Sequence, residues 1–180
     1  MKSEMETRRA TMSSRSAADH ERGLLLLRER RYADAEQCFR RVLEADEHHQ
    51  VAWDRLGWAL ANQRRFEEAT QCVKRAIEEA RRKCRVGGME YDLFRFHTTL
   101  GAIYCLAGEA EKAVLELDKA DASNWYNMYW KACALKSLGR VQEALSMARE
   151  AQSRAPKPLL PPLSDEIRDL IAECESMVGG

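Results

Sequence analysis

A pattern of small and large apolar residues returns along this chain at a fixed interval. Gly57 stands 34 residues after Gly23, and the same step separates Phe66 from Tyr32, Ala69 from Ala35, Ala76 from Val42 and Ile77 from Leu43. Within the stretch from Trp53 to Ala76, apolar or small residues fall at Trp53, Leu56, Gly57 and Leu60, then at Phe66, Ala69, Val73 and Ala76. That is the spacing of one face on each of two short helices. Gly57 and Ala69 sit where the two helices would cross, and small residues permit close approach. A hairpin of this size cannot bury its apolar face alone, so the repetition points to hairpins stacked on one another.

The step of 34 residues with this small-and-large pattern resembles the tetratricopeptide repeat. The resemblance implies an all-α fold, a right-handed superhelical solenoid of helix–turn–helix repeats, whose members usually bind peptides or proteins and seldom catalyse reactions. We expect four repeats over residues 17–156, at about 17–49, 50–86, 90–122 and 123–156. The third is shifted: Leu100-Gly101 match Leu56-Gly57 at a step of 44, which places an extended helix and a Gly87-Gly88 loop before it. The fourth follows from Gly139, which stands 31 residues after Gly108. Ala132 and Leu135 then align with Gly101 and Tyr104, and Ala144, Ala148 and Ala151 with Ala113, Leu117 and Ala120. Arg30 and Arg31 occupy the first turn, where the family often has Gly.

The flanks read differently. Residues 1–16 carry Lys2, Arg8, Arg9 and Arg15 among Ser, Thr, Glu4 and Glu6 without an apolar run; a disordered tail is expected, with an organellar leader as the alternative. Residues 157–163, KPLLPPL, read as an extended connector, because Pro lacks the amide hydrogen a helix needs. Residues 164–178 read as a capping helix with Ile167, Leu170, Ile171, Cys174 and Met177 in one stripe. The alternative is that this helix fills the protein's own groove or docks on a partner.

Charge narrows the function classes. The chain has 29 basic and 29 acidic side chains and a net charge of zero, which argues against broad binding to nucleic acid or membrane. The basic stretch Arg64-Arg65, Arg81-Arg82-Lys83 and Arg85 is interleaved with Glu78 and Glu79 and reads as a charged helix face, RNA binding being the less favoured alternative. No apolar run approaches the ~20 residues a membrane span needs. The six cysteines form no CxxC pair and fall on expected helices as small buried residues, which suits a reducing, cytoplasmic compartment. The four histidines have no metal-ligand spacing, and no Gly-rich phosphate loop appears, so no enzyme activity, metal or cofactor is expected.

The resemblance implies that the first helix of each pair lines a concave groove. On that basis the expected peptide-binding residues are Arg55, Trp58 and Asn62 from the second repeat, Arg95 from the third, and Tyr126, Tyr129 and Trp130 from the fourth. Asp54, Ala61, Thr98, Thr99, Ala102, Cys105, Cys133 and Lys136 lie beside them, and His20, Glu21, Leu24 and Leu27 represent the first repeat. Exposed aromatics with a few charges are what peptide-binding surfaces use; for Trp130 a core position is an equal alternative. The family's two-carboxylate clamp would fall on His20, Leu24, Arg55, Arg95 and Thr99, and Leu24 and Thr99 cannot supply its donors. The expected role is a non-catalytic adaptor for a protein or peptide partner. The alternative is a structural subunit that uses its convex face or terminal helix.

Overall fold

The computed structural model describes residues 2–84, 91–159 and 162–179, and among them the regular secondary structure is all α-helix. The chain divides into two compact units, Met1–Glu90 and Tyr91–Gly180. In the first, α1 (Lys2–Arg28) pairs with α2 (Tyr32–Ala45) and α3 (Gln50–Ala61) pairs with α4 (Phe66–Cys84), while α2 packs on α3. In the second, α5 (Tyr91–Leu106) pairs with α6 (Ala110–Leu117), α7 (Trp125–Ser137) pairs with α8 (Val141–Arg154), and α9 (Leu163–Gly179) packs mainly on α8. The expected Gly87-Gly88 loop lies outside the described residues, as do residues 160 and 161 of the connector.

Each hairpin is closed by one lock. An ideal Cβ placed on Gly23 would lie 2.7 Å from Phe39 Cζ, one on Gly57 would lie 2.5 Å from Val73 Cγ2, and one on Gly101 would lie 2.5 Å from Leu117 Cγ. In all three the large partner stands sixteen residues after the glycine. The fourth hairpin changes both halves together: Ala132 replaces the glycine and Ala148 the large residue, and both are fully buried. Helix interiors disfavour glycine by about 1 kcal/mol relative to Ala. Its retention in three hairpins follows from the packing it permits.

The turns share a second device. Arg30, Arg64, Gly108 and Gly139 all have positive φ, between 59° and 80°. After each, the next amide reaches back five residues: Arg31 to Leu26 at 2.9 Å, Arg65 to Leu60 at 3.1 Å, Glu109 to Tyr104 at 2.9 Å and Arg140 to Leu135 at 2.9 Å. This is the Schellman ending of a helix, which prefers glycine at the left-handed position. Two of the four positions hold arginine, whose Cβ is strained there by roughly 1–2 kcal/mol. Arg64→Gly is therefore expected to raise unit stability by about 0.5–1 kcal/mol, the gain being offset in part by glycine's greater freedom in the unfolded chain. Denaturant titration reads this as a higher midpoint at constant slope, and an unchanged or lower midpoint contradicts it.

Two segments take a course that differs from expectation. Residues 2–16, expected as a tail, lie within α1, which runs from Lys2 to Arg28. The segment holds no Gly or Pro, and its C-terminal part is nucleated by packing on α2, so helix extends into it at no nucleation cost. The second helix of the third hairpin ends at Leu117, before Ala120. There the chain tightens into three-residue bonds, Lys119 to Glu116 and Ala120 to Leu117. Asn127 Nδ2 then donates to the carbonyls of Leu117 at 3.2 Å and Asp121 at 3.3 Å, while the Asn124 side chain caps α7. The connection is short because two asparagines satisfy its backbone.

In the first unit a carboxylate braces α2 against the α3–α4 turn. Glu36 accepts from Arg65 Nη1 at 2.8 Å, Gln63 Nε2 at 2.9 Å and Arg40 Nη2 at 2.8 Å. Burial alone would push this carboxyl up, but the hydrogen bonds from Arg40, Gln63 and Arg65 outweigh it and hold it below its ordinary 4.5. A depressed folded-state pKa means that the stabilisation is complete above the ordinary value and is lost as pH falls through the folded value. Between roughly pH 5 and pH 3, the melting temperature of wild type should fall more steeply than that of Glu36→Gln. At neutral pH the variant should be less stable by about 1–2 kcal/mol, since its charged partners are half exposed. Parallel acid limbs in the two proteins contradict the brace.

Candidate functional site

The first helices of the hairpins carry the expected binding residues, and each unit presents its own surface. In the first unit a surface pocket of about 310 Å³ lies between α1 and α3, lined by Leu24, Leu27, Arg28, Arg55 and Trp58. α3 is held from behind by Leu56, Ala59 and Leu60, all buried, which turns Arg55 and Trp58 outward at half-buried positions. Leu24 and Leu27 are half-buried on α1, beside the wholly inward Leu26. The four-leucine run thus serves two faces.

Four of the five lining residues are those read from the sequence. Arg28 was missed; it follows from carrying the α1 face one turn beyond Leu24, since residues four apart are neighbours on a helix. Asn62 ends α3 instead of lining the pocket: its Nδ2 donates to the Trp58 carbonyl at 2.8 Å. His20 stacks on His49 at 5.1 Å and meets the Phe39 ring edge-on at 5.9 Å. Asp54 and Ala61 are buried and leave the expected surface.

In the second unit the arrangement departs further from expectation. Tyr129 is only 7 % exposed, and its hydroxyl donates to Glu166 Oε2 of α9 at 3.2 Å. Burial, with the adjoining Glu166 carboxylate, keeps that phenol protonated. Lys136 is engaged by Glu173 of the same helix. α9 therefore covers part of the face assigned to binding, with Ile167, Leu170 and Cys174 buried beneath it. Thr98, Thr99 and Ala102 are buried on α5; the threonine hydroxyls donate back to the Phe94 and Arg95 carbonyls at 3.2 and 3.3 Å.

Half-buried positions on this face hold Arg95 and Cys105 on α5 and Trp125, Tyr126, Trp130, Cys133 and Lys136 on α7. The Arg95 guanidinium sits 5.1 Å from the Phe96 ring centroid. Tyr126 and Trp130 meet edge-on at 6.1 Å, and both contact the buried Tyr129, at 6.4 and 5.2 Å. Trp130 also belongs to the periphery of the core around Ile167. It therefore combines the two positions that the sequence left open.

One column explains the misplacements. The residue three before each reference glycine, or before Ala132, is His20, Asp54, Thr98 or Tyr129, and the last three are buried. The residues one after are Leu24, Trp58, Ala102 and Cys133, and all but Ala102 are half-buried. The open face is thus narrower than the sequence reading drew it.

The site offers little nucleophilic chemistry. Burial pushes the thiols of Cys72 and Cys133 up to about 11 and that of Cys105 up to about 12, so all three stay protonated at neutral pH. Cys105 instead donates weakly to the Trp130 carbonyl at 3.5 Å. All six cysteines are free. Among the described residues no cluster of three or more His, Cys, Asp or Glu could hold a metal ion. No helix among them is long and apolar enough to cross a membrane.

Comparison with known proteins places the hairpins in a family. Two tetratricopeptide repeat models match the chain, one over residues 26–84 and one over residues 126–158. No curated protein sequence matches it. Among solved structures, MamA of AMB-1 matches with a TM-score of 0.62 at 22 % identity, over 89 % of this chain and 88 % of that one. MamA of Desulfovibrio magneticus RS-1 matches with a TM-score of 0.60 at 12 % identity, over 92 % of each chain. YrrB, described as a TPR protein with an unusual peptide-binding site, matches with a TM-score of 0.55 at 16 % identity, over 89 % of this chain and 76 % of that one. At these identities the likeness is one of fold.

Proposed function

We propose, from the premise that this chain is built of tetratricopeptide repeats, that it is a non-catalytic adaptor whose first-helix face binds a peptide segment of a partner protein. The observation that carries the reading is the α1–α3 pocket, where leucines, a tryptophan and two arginines converge on one concavity. Aromatic and arginine side chains dominate the energetics of protein interfaces. The fold likeness to YrrB, itself described as having a peptide-binding site, supports the same reading. In the other unit, Arg95 on α5 and the Tyr126–Trp130 pair on α7 are further candidates, each at a half-buried position. The high pKa values of the half-buried thiols favour recognition over catalysis.

Affinity capture from cell extract tests it, using wild type beside an Arg55→Ala, Trp58→Ala double variant shown by melting to be folded. The reading expects a partner retained by wild type and lost from the variant, because a hot-spot tryptophan alone is worth about 2 kcal/mol or more. An unchanged partner set excludes the pocket and turns attention to the outer faces, where Leu115 of α6 is 62 % exposed.

A further inference from the structure

We infer that the α1–α3 pocket selects a segment carrying an acidic side chain beside a bulky apolar one. The inference rests on the peptide-binding reading above and adds the chemistry of the ligand. Among the described residues lining the pocket, two are arginines and none is acidic, although the chain as a whole is neutral. The lining is therefore basic, and the nearest carboxylate to Arg55, that of Asp54, is fully buried behind it.

Among the described residues, both guanidinium groups also lack a close carboxylate partner. Arg31, Arg40 and Arg65 each sit within 3 Å of a carboxylate oxygen. Arg28 makes no ion pair among the described residues. Arg55 has one long approach, Nη1 to Asp54 Oδ2 at 3.7 Å, which exceeds hydrogen-bond distance. Its Nε is shielded from solvent and has no acceptor. A shielded donor without an acceptor is costly, so the Arg55 side chain gains by turning its fork toward a carboxylate held in the pocket. The planar guanidinium fork fits a carboxylate in particular.

The other wall sets the second requirement. Leu24, Leu27 and Trp58 offer apolar surface within the same concavity. A ligand that placed only a charge there would leave this surface wet. An Asp or Glu one to four residues from Leu, Ile, Phe or Trp engages both walls, and the complement is a side-chain carboxylate within a segment.

Selection from a random peptide library displayed with both ends fused, so that every carboxylate is a side chain, tests this. Wild type should enrich acidic residues near a large apolar one. Arg55→Gln should weaken the best selected peptide by about tenfold or more. The exposed Arg28→Glu should abolish the acidic bias and favour Lys or Arg in its place. Trp58→Ala should keep the acidic bias and lose the apolar one, which a merely unfolded variant would not do. An enriched pool with no acidic bias, or one indifferent to Arg55→Gln and Arg28→Glu, overturns this inference and leaves peptide binding standing. A selection that enriches nothing sinks both.

Discussion

Gly57→Val is expected to lower the stability of the first unit by about 3 kcal/mol, at the upper end of overpacking effects. The first added atom would already stand 2.5 Å from Val73 Cγ2 and 2.9 Å from the Ala69 carbonyl oxygen. The side chain can turn, but the carbonyl belongs to the backbone of α4 and cannot yield without separating the helices. Valine's better helix propensity returns only a few tenths of a kcal/mol. In a unit of this size the melting temperature should fall by on the order of 15 °C. The fourth hairpin supplies a compensating design, since Ala132 is there matched by Ala148. Gly57→Ala with Val73→Ala should therefore cost less than the two single changes added together, a coupling that a double-mutant cycle measures. Strict additivity would show that the lock is no lock. Gly108→Ala is the contrast: nothing lies within 4 Å, and φ is +80°, so its cost of roughly 1–2 kcal/mol is that of backbone conformation alone.

Phe39→Ala attacks the same lock from the other side, with an expected loss of about 3–5 kcal/mol. The ring is fully buried, fills the space Gly23 leaves at 2.7 Å, and meets His20 edge-on at 5.9 Å. Truncation removes its transfer energy and opens a cavity between α1 and α2 that the backbone cannot close. Because α1 supplies Leu24, Leu27 and Arg28 to the pocket, loosening it should weaken partner binding as well as stability. Chemical denaturation with native-state binding measured in parallel reads both effects. A loss below about 1 kcal/mol would place the ring outside the core.

How much of this was legible in the sequence depends on what kind of residue carried the signal. The hairpins were, because Gly23, Gly57 and Gly101 recur with their apolar neighbours at the spacing a helix imposes. Turn positions were marked at Gly108 and Gly139 and, through the family's preference for glycine there, at Arg30 and Arg31, but not at Arg64. Arginine carries no signal for positive φ, and only alignment with the glycines would give it away. The helical course of residues 2–16 was not legible because nothing in a Ser-, Arg- and Glu-containing stretch distinguishes a tail from an extension nucleated elsewhere. Within the candidate site, Arg55 and Trp58, expected on the groove face, line the α1–α3 pocket. Tyr129 is buried instead, and no local pattern tells that a helix begun at Leu163 returns to place Glu166 on its hydroxyl. Arg28 stands one turn after Leu24 and directly after Leu27, where the reading of that face ended.

Backbone chemical-shift mapping on the whole chain, with a captured partner segment added as a synthetic peptide, tests the central claim most directly. The account predicts perturbations gathered on α1 and α3 around Leu24, Leu27, Arg28, Arg55 and Trp58, with the Trp58 indole signal among the largest. Perturbations gathered on α6, on the outer face of α8 or on α9, with the α1 and α3 signals unmoved, would contradict it.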